Sequence, residues 1–149
     1  MKHFEDFRIG EVDAMGSHTM TEAEILAFAR KYDPQPFHTD PEAARRSIYG
    51  GLIASGWHTC AVMMRLTVQT HRRMEAAAVG SPGVESCRWL KPVRAGDTLT
   101  GTTEVLAAWP SRTRPFGFVR RRMDLANQRG EAVATLVGIS MYQRRETSA

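Results

Sequence analysis

No run of apolar residues in this chain approaches the roughly 20 that a membrane-spanning helix needs. The stretch Met1-Lys2-His3-Phe4-Glu5-Asp6-Phe7-Arg8 also lacks the apolar core of an export signal. The expectation is a chain that is neither exported nor anchored. Cysteine is almost missing: Cys60 and Cys87 stand in neither a C-x-x-C pair nor a Cys/His ligand spacing. That argues against a disulfide framework and against a zinc site, and it suits a reducing cytoplasm. A concentrated basic block is missing too. The net charge is +4, yet Arg45-Arg46, Arg72-Arg73, Arg120-Arg121-Arg122 and Arg144-Arg145 are scattered and interleaved with acids. This pattern speaks against nucleic-acid binding and leaves a modest bias toward anionic ligands. Internal repeats and low-complexity segments are absent.

What is present fits one domain over residues 1–149, with 42% hydrophobic and 24% charged residues, enough for a core without covalent staples. Thr21-Glu22-Ala23-Glu24 reads as a capping box opening a helix that carries Ile25, Phe28 and Ala29 on one face. Pro34 and Pro36 stop it, leaving Asp33 at its exit. Asp40-Pro41 is an N-cap followed by proline at the first helical position of a short helix that ends by Gly50-Gly51. From about Leu52 to His71 the chain reads as its longest helix. Ile53, Ala54, Trp57, Cys60, Ala61, Met63, Met64 and Val68 make that helix apolar almost all round its first half, so it needs wrapping, and a curved sheet is the economical wrapper.

The second half supplies the sheet. Leu99, Gly101, Thr103 and Val105 alternate with Thr98, Thr100, Thr102 and Glu104 in the period of a strand. Val84 to Leu90 is a shorter strand. Phe116 to Ala126 and Glu131 to Gln143 are two more, joined by the turn Asn127-Gln128-Arg129-Gly130. Arg120 and Arg122 share a face there and read as solvated or edge charge, with Arg121 opposite. Glu146 to Ala149 read as a loose tail. The class is α+β. A sheet curled round one helix leaves an open edge that a second copy would cover, so a homodimer is expected.

The chemistry concentrates in Tyr32-Asp33-Pro34-Gln35-Pro36-Phe37-His38-Thr39-Asp40. A carboxylate and an imidazole lie five residues apart on a loop stiffened by two prolines. Water held between such a pair can lose a proton to one of them and have one returned to substrate. If the acceptor is a double bond conjugated with a thioester carbonyl, charge builds on the carbonyl oxygen and needs donors. The first turn of the long helix, entered through Gly51 to Gly56, offers free amides. Gly56 N–H is the expected donor, with Ser55 lining the same corner.

The stretch Phe28 to Thr59, with Asp33-Pro34-Gln35-Pro36-Phe37-His38 and then Gly50-Gly51-Leu52-Ile53-Ala54-Ser55-Gly56-Trp57-His58-Thr59, resembles the signature of the MaoC-like, (R)-specific enoyl-CoA hydratases. The resemblance implies a hot-dog fold, a curved antiparallel sheet around a central helix, and syn hydration of a trans-2-enoyl thioester. It implies coenzyme A or acyl carrier protein as the substrate's carrier and neither metal nor redox cofactor. Asp33 and His38 would share the water and Gly56 N–H would polarise the carbonyl, with Ser55, Trp57, Pro36 and Phe37 as substrate contacts. Gln35 stands where the family has Asn, and Ser55 where it has His. The first touches the bracing of the loop, the second the polarity beside the carbonyl.

Plainer readings stand beside this one. Asp33 alone is a common helix-ending residue before proline. His38 alone is a structural histidine, as are His3, His18, His58 and His71. His58, one turn into the long helix, is the rival that either meets substrate or bonds a carbonyl. Asp40 is a cap, and Trp57, Met63 and Met64 are core or acyl-pocket lining. Two other functions remain open: a hot-dog thioesterase, in which water attacks the carbonyl carbon, and a non-catalytic acyl-thioester-binding module. The pairing of the carboxylate with a histidine favours hydration over thioester cleavage.

Overall fold

The computed structural model describes residues 1–145; Glu146 to Ala149, expected as a loose tail, lie outside the described residues. A 3₁₀ turn (Phe4–Asp6) leads into β1 (Val12–Thr19), α1 (Glu22–Tyr32), the short helices α2 (Pro36–Thr39) and α3 (Pro41–Arg45), and the long α4 (Gly56–Arg73). Four strands follow: β2 (Ala78–Trp89), β3 (Thr98–Pro110), β4 (Phe116–Ala126) and β5 (Ala132–Gln143). They form one antiparallel sheet with β1, in the order β1-β3-β4-β5-β2. The sheet curls around α4, and the architecture is the α+β hot-dog arrangement.

Local chemistry explains most boundaries. Thr21 Oγ1 accepts the Glu24 amide at 3.2 Å and starts α1. The reciprocal arm of the expected capping box is replaced. Glu24 accepts a hydrogen bond from the Thr21 hydroxyl at 3.1 Å and turns its other oxygen to His18. Asp33 leaves the helical region at φ −150°, ψ 69°, as the following Pro34 requires. The proline loop itself closes one helical turn, because Pro36 at the first position has the right φ already set and Asp40 N–H reaches Pro36 O at 2.9 Å. Asp40 then caps α3 through the Glu42 and Ala43 amides.

Three expectations need correction. The long helix starts at Gly56, not Leu52. Residues before it are held extended by Ile53 N–H to Phe37 O (3.2 Å) and Ala54 N–H to Val93 O (2.8 Å), and Ser55 caps the helix. Nor is α4 wrapped all round. Its Val62, Met63 and Leu66 pack on Leu99, Met123, Leu125 and Val133. Trp57 and Met64 on the opposite stripe are 62% and 55% exposed, because five strands cover only one side of a helix. Strand β2 is also longer than Val84 to Leu90. Its first half, Ala-Val-Gly-Ser-Pro-Gly, lies outside the expected strand, but it is drawn into the sheet through register breaks that fall at Gly80 and Gly83.

On β4, Arg120 pairs with Glu85, and Arg122 with Glu104 and Asp124, all at the surface. Arg121 is buried, 2% exposed, beneath Phe7 in a second small core with Val105, Val119 and Tyr142. Its Nε donates to Thr103 Oγ1 at 3.1 Å and its Nη1 to Tyr142 Oη at 2.9 Å. Because guanidinium only donates, the Tyr142 proton is left for His71 Nε2, 2.8 Å away.

Candidate active site

Asp33 at the exit of α1 and His38 on α2 converge, with Asp33 Oδ2 3.3 Å from His38 Nε2 and both side chains mostly buried. The ring's other nitrogen, Nδ1, lies 2.8 Å from the carbonyl of Ile53. A carbonyl only accepts, so Nδ1 carries a proton, and in the neutral tautomer that this bond selects the Nε2 lone pair points toward Asp33. Two acceptors then face each other across a gap, an arrangement that suits a molecule with two protons to give.

The carboxylate is held on both oxygens. Gln35 Nε2 donates to Oδ1 at 2.8 Å and the Ser55 hydroxyl donates to Oδ2 at 2.7 Å. Burial alone would raise the Asp33 pKa. The bonds from Gln35 and Ser55 and the nearby His38 outweigh it and hold the group below the ordinary aspartate value, hence ionised at neutral pH.

The pair opens onto a cavity of about 410 Å³ whose lining includes Asp33, His38, Phe37, Gly56, Trp57 and Trp89. Gly56 is the first residue of α4, where amides have no intrahelical acceptor. Ser55 Oγ takes the next amide, that of Trp57, at 3.2 Å. A side chain at Gly56 has no room, since an added Cβ would lie 2.7 Å from Trp89 Nε1. That same indole nitrogen donates to Gly56 O at 2.9 Å, and the two tryptophans meet edge to face at 5.3 Å. Backbone and ring thus form one wall.

Of the residues singled out from the sequence, Asp33, His38, Phe37, Gly56 and Trp57 line the cavity. Pro36 and Ser55 do not. Pro36 starts α2, while Ser55 is fully buried and bonded to Asp33 and the α4 backbone. His58 takes up neither of its two expected partners. It stacks on Phe28 at 4.8 Å and lies 3.4 Å from Glu24 Oε1, on the far side of α4 from the cavity. Burial lowers its pKa, with Glu24 opposing. Sequence reasoning missed Trp89 and the Ile53 carbonyl. A tryptophan at a strand end and a backbone oxygen carry no local signal of what they meet. Among the described residues, no cluster of three or more His, Cys, Asp or Glu is placed to hold a metal ion, and no helix is long and apolar enough to cross a membrane.

A hot-dog sheet curls around one helix, and Asp33 and His38 meet at a cavity lined also by the first residue of that helix. Residues 8–119 match the MaoC like domain, and the chain belongs to that family of hydratases and dehydratases. It is similar to a MaoC-like dehydratase from Rhodospirillum rubrum, 41% identical, with a TM-score of 0.89 over 99% of this chain and 100% of the other. It is 29% identical to mesaconyl-CoA hydratase of Cereibacter sphaeroides over 99% of this chain, which spans only 43% of that protein. R-hydratase PhaJ1 of Pseudomonas aeruginosa shares the fold, with a TM-score of 0.75 at 21% identity over 99% of this chain and 92% of that one.

Proposed function

We propose that this protein hydrates an enoyl thioester of coenzyme A or acyl carrier protein, or dehydrates the corresponding 3-hydroxyacyl thioester. The observation that carries the reading is the convergence of Asp33 Oδ2 and His38 Nε2 at 3.3 Å on a cavity lined also by the first residue of α4.

In the hydration direction, water donates one proton toward each of the two acceptors, which aims its lone pair at C3 of the substrate. As the C3–O bond forms, one water proton passes to the pair and electrons move onto the thioester oxygen. The Gly56 amide stabilises that charge, a role worth about 3–4 kcal/mol for a well-placed donor. A proton from the pair then reaches C2, and Asp33 and His38 end as they began. Oxidation states balance within the substrate, so the step draws on no redox cofactor. Phe37, Trp57 and Trp89 supply the apolar lining for an acyl chain.

The test is loss of the conjugated thioester absorbance with crotonyl-CoA, longer and branched enoyl-CoAs, and an enoyl-CoA bearing a second carboxylate, as mesaconyl-CoA does. Asp33→Asn and His38→Ala are expected to lose roughly 100- to 10,000-fold in rate while staying folded. Full activity in both, or release of free thiol in place of hydration, overturns the reading.

Two further parts of the proposal concern setting. Strand β2 pairs with β5 only, and every one of its residues except Cys87 is exposed, which makes it the edge on which a homodimer would form. Two free thiols and a thioester substrate fit the cytoplasm.

A further inference from the structure

Cys60 and Cys87 lie 27 positions apart in sequence, on different elements, and no spacing rule connects them. In the fold their sulfurs are 3.4 Å apart across the seam between α4 and β2. Both are free thiols and both are only partly buried. Cys60 lines a groove with Met64, Ser81 and Val84 that is open on the single chain, which gives a small reagent a way in whenever the β2 edge is unpaired. The position of the pair matters as much as its distance. Cys60 is one helical turn beyond Gly56, and Cys87 lies on the same strand face as Trp89, two residues on. Trp89 is the ring that donates to Gly56 O and walls the cavity. The two sulfurs therefore sit beside the contact that shapes the proposed thioester site.

We propose that Cys60 and Cys87 are a reversible oxidation site, forming a disulfide that clamps α4 to β2 beside the cavity wall. The oxidant is a low-molecular-weight disulfide of the glutathione type. The thiolate of one cysteine attacks a sulfur of the oxidant, the oxidant's S–S bond breaks, and one small thiolate leaves. The second cysteine's thiolate then attacks the mixed disulfide, forming the Cys60–Cys87 bond and releasing the second small thiolate. The two protons lost by the cysteines go to the two leaving thiols. The protein is oxidised by two electrons and the small disulfide is reduced by two. Closing from 3.4 Å to a bond of about 2.05 Å is within reach of side-chain rotation. Burial and the Cys87 neighbour push the Cys60 thiol up to about 11, with the Trp89 contact opposing. The exchange is accordingly slow near neutrality and quickens as pH rises.

Closing a loop of this length constrains the unfolded chain, so the oxidised protein melts higher by roughly 5–10 °C. The test uses the whole chain with excess glutathione disulfide at about pH 8, near the ordinary thiol value, followed by thiol blocking and intact mass. Expected are loss of the mass of two hydrogen atoms, a peptide linking Cys60 to Cys87, full reversal by a dithiol, and the rise in melting temperature. Cys60→Ser and Cys87→Ser should each stop at a single mixed disulfide and show no rise. Two blockable thiols after prolonged exposure, cross-links only between chains, two stable mixed disulfides, or a clamp with no change in melting each overturn the proposal. None of these readouts uses turnover, so they stand or fall separately from the hydratase reading.

Discussion

The Ser55 hydroxyl donates to Asp33 Oδ2 at 2.7 Å while its oxygen accepts the Trp57 amide at 3.2 Å, so one side chain joins the acid to the start of α4. The acid and the helix mouth therefore share one bonded group, 22 residues from Asp33 in sequence.

Removing that group should be felt twice. Ser55→Ala takes away a bond to the charged form of Asp33, which raises its pKa and moves the acidic limb of the kcat/KM profile to higher pH. It also removes a helix cap, worth about 1 kcal/mol. A pH–rate profile and urea denaturation on the same variant separate the two effects. An unmoved acidic limb would show that Ser55 only caps.

Gly56→Ala forces a methyl group against the Trp89 indole. We expect a stability loss of about 1–3 kcal/mol, as for other overpacked sites, together with a fall in kcat as the first-turn amide shifts. Adding Trp89→Ala makes room, so the double variant should regain stability without regaining activity. Thermal melts and initial rates on the three proteins measure this.

Acid should weaken the fold through His71. Burial, with Arg121 nearby, lowers its pKa to about 4 from an ordinary 6.5. The folded state resists a proton that the unfolded state accepts. Stability is therefore lost as pH falls below about 6.5, and the loss is complete below the folded value. Paired carboxylates such as Glu24 and Asp33, whose values are also lowered, weaken over a more acidic range. His71→Gln should flatten the decline in melting temperature between about pH 6.5 and 4 relative to the parent protein. An identical slope in both would remove His71 from the account.

Glu24 joins α1 to both β1 and α4, through His18 Nε2 at 2.7 Å and His58 Nε2 at 3.4 Å on the same oxygen. Glu24→Ala should cost about 1–3 kcal/mol, since it also leaves two partly buried imidazoles short of an acceptor. Chemical denaturation at neutral pH checks this. Substrate affinity should change little, because the cavity lies on the other side of α4.

Much of this was legible beforehand, for a physical reason. Thr21, Asp40, Pro36 and the Asn127–Gly130 turn act on their own neighbours, so their signals survive in one dimension. Asp33 and His38 are brought together over five residues by prolines, a local matter as well. What could not be read were contacts between distant segments: the Cys60–Cys87 approach, Trp89 against Gly56, and Arg121 under Phe7. Strand alternation assigned Arg121 to the face opposite Arg120 and Arg122, but it could not say that this face was the interior. The first half of β2 carries no alternation to read, because its glycines and proline interrupt the period of a strand, whereas here they supply the bends of an edge strand.

Those bends carry a consequence for how the molecule behaves in a crowded mixture. An outer strand whose ladder is interrupted near Gly80, Gly83 and Val84 offers its free amides and carbonyls in short, offset stretches. A flat, regular strand from an unrelated protein finds no continuous rail to zip onto, whereas a matching contour does. The kinks of this edge thus work against indiscriminate strand pairing.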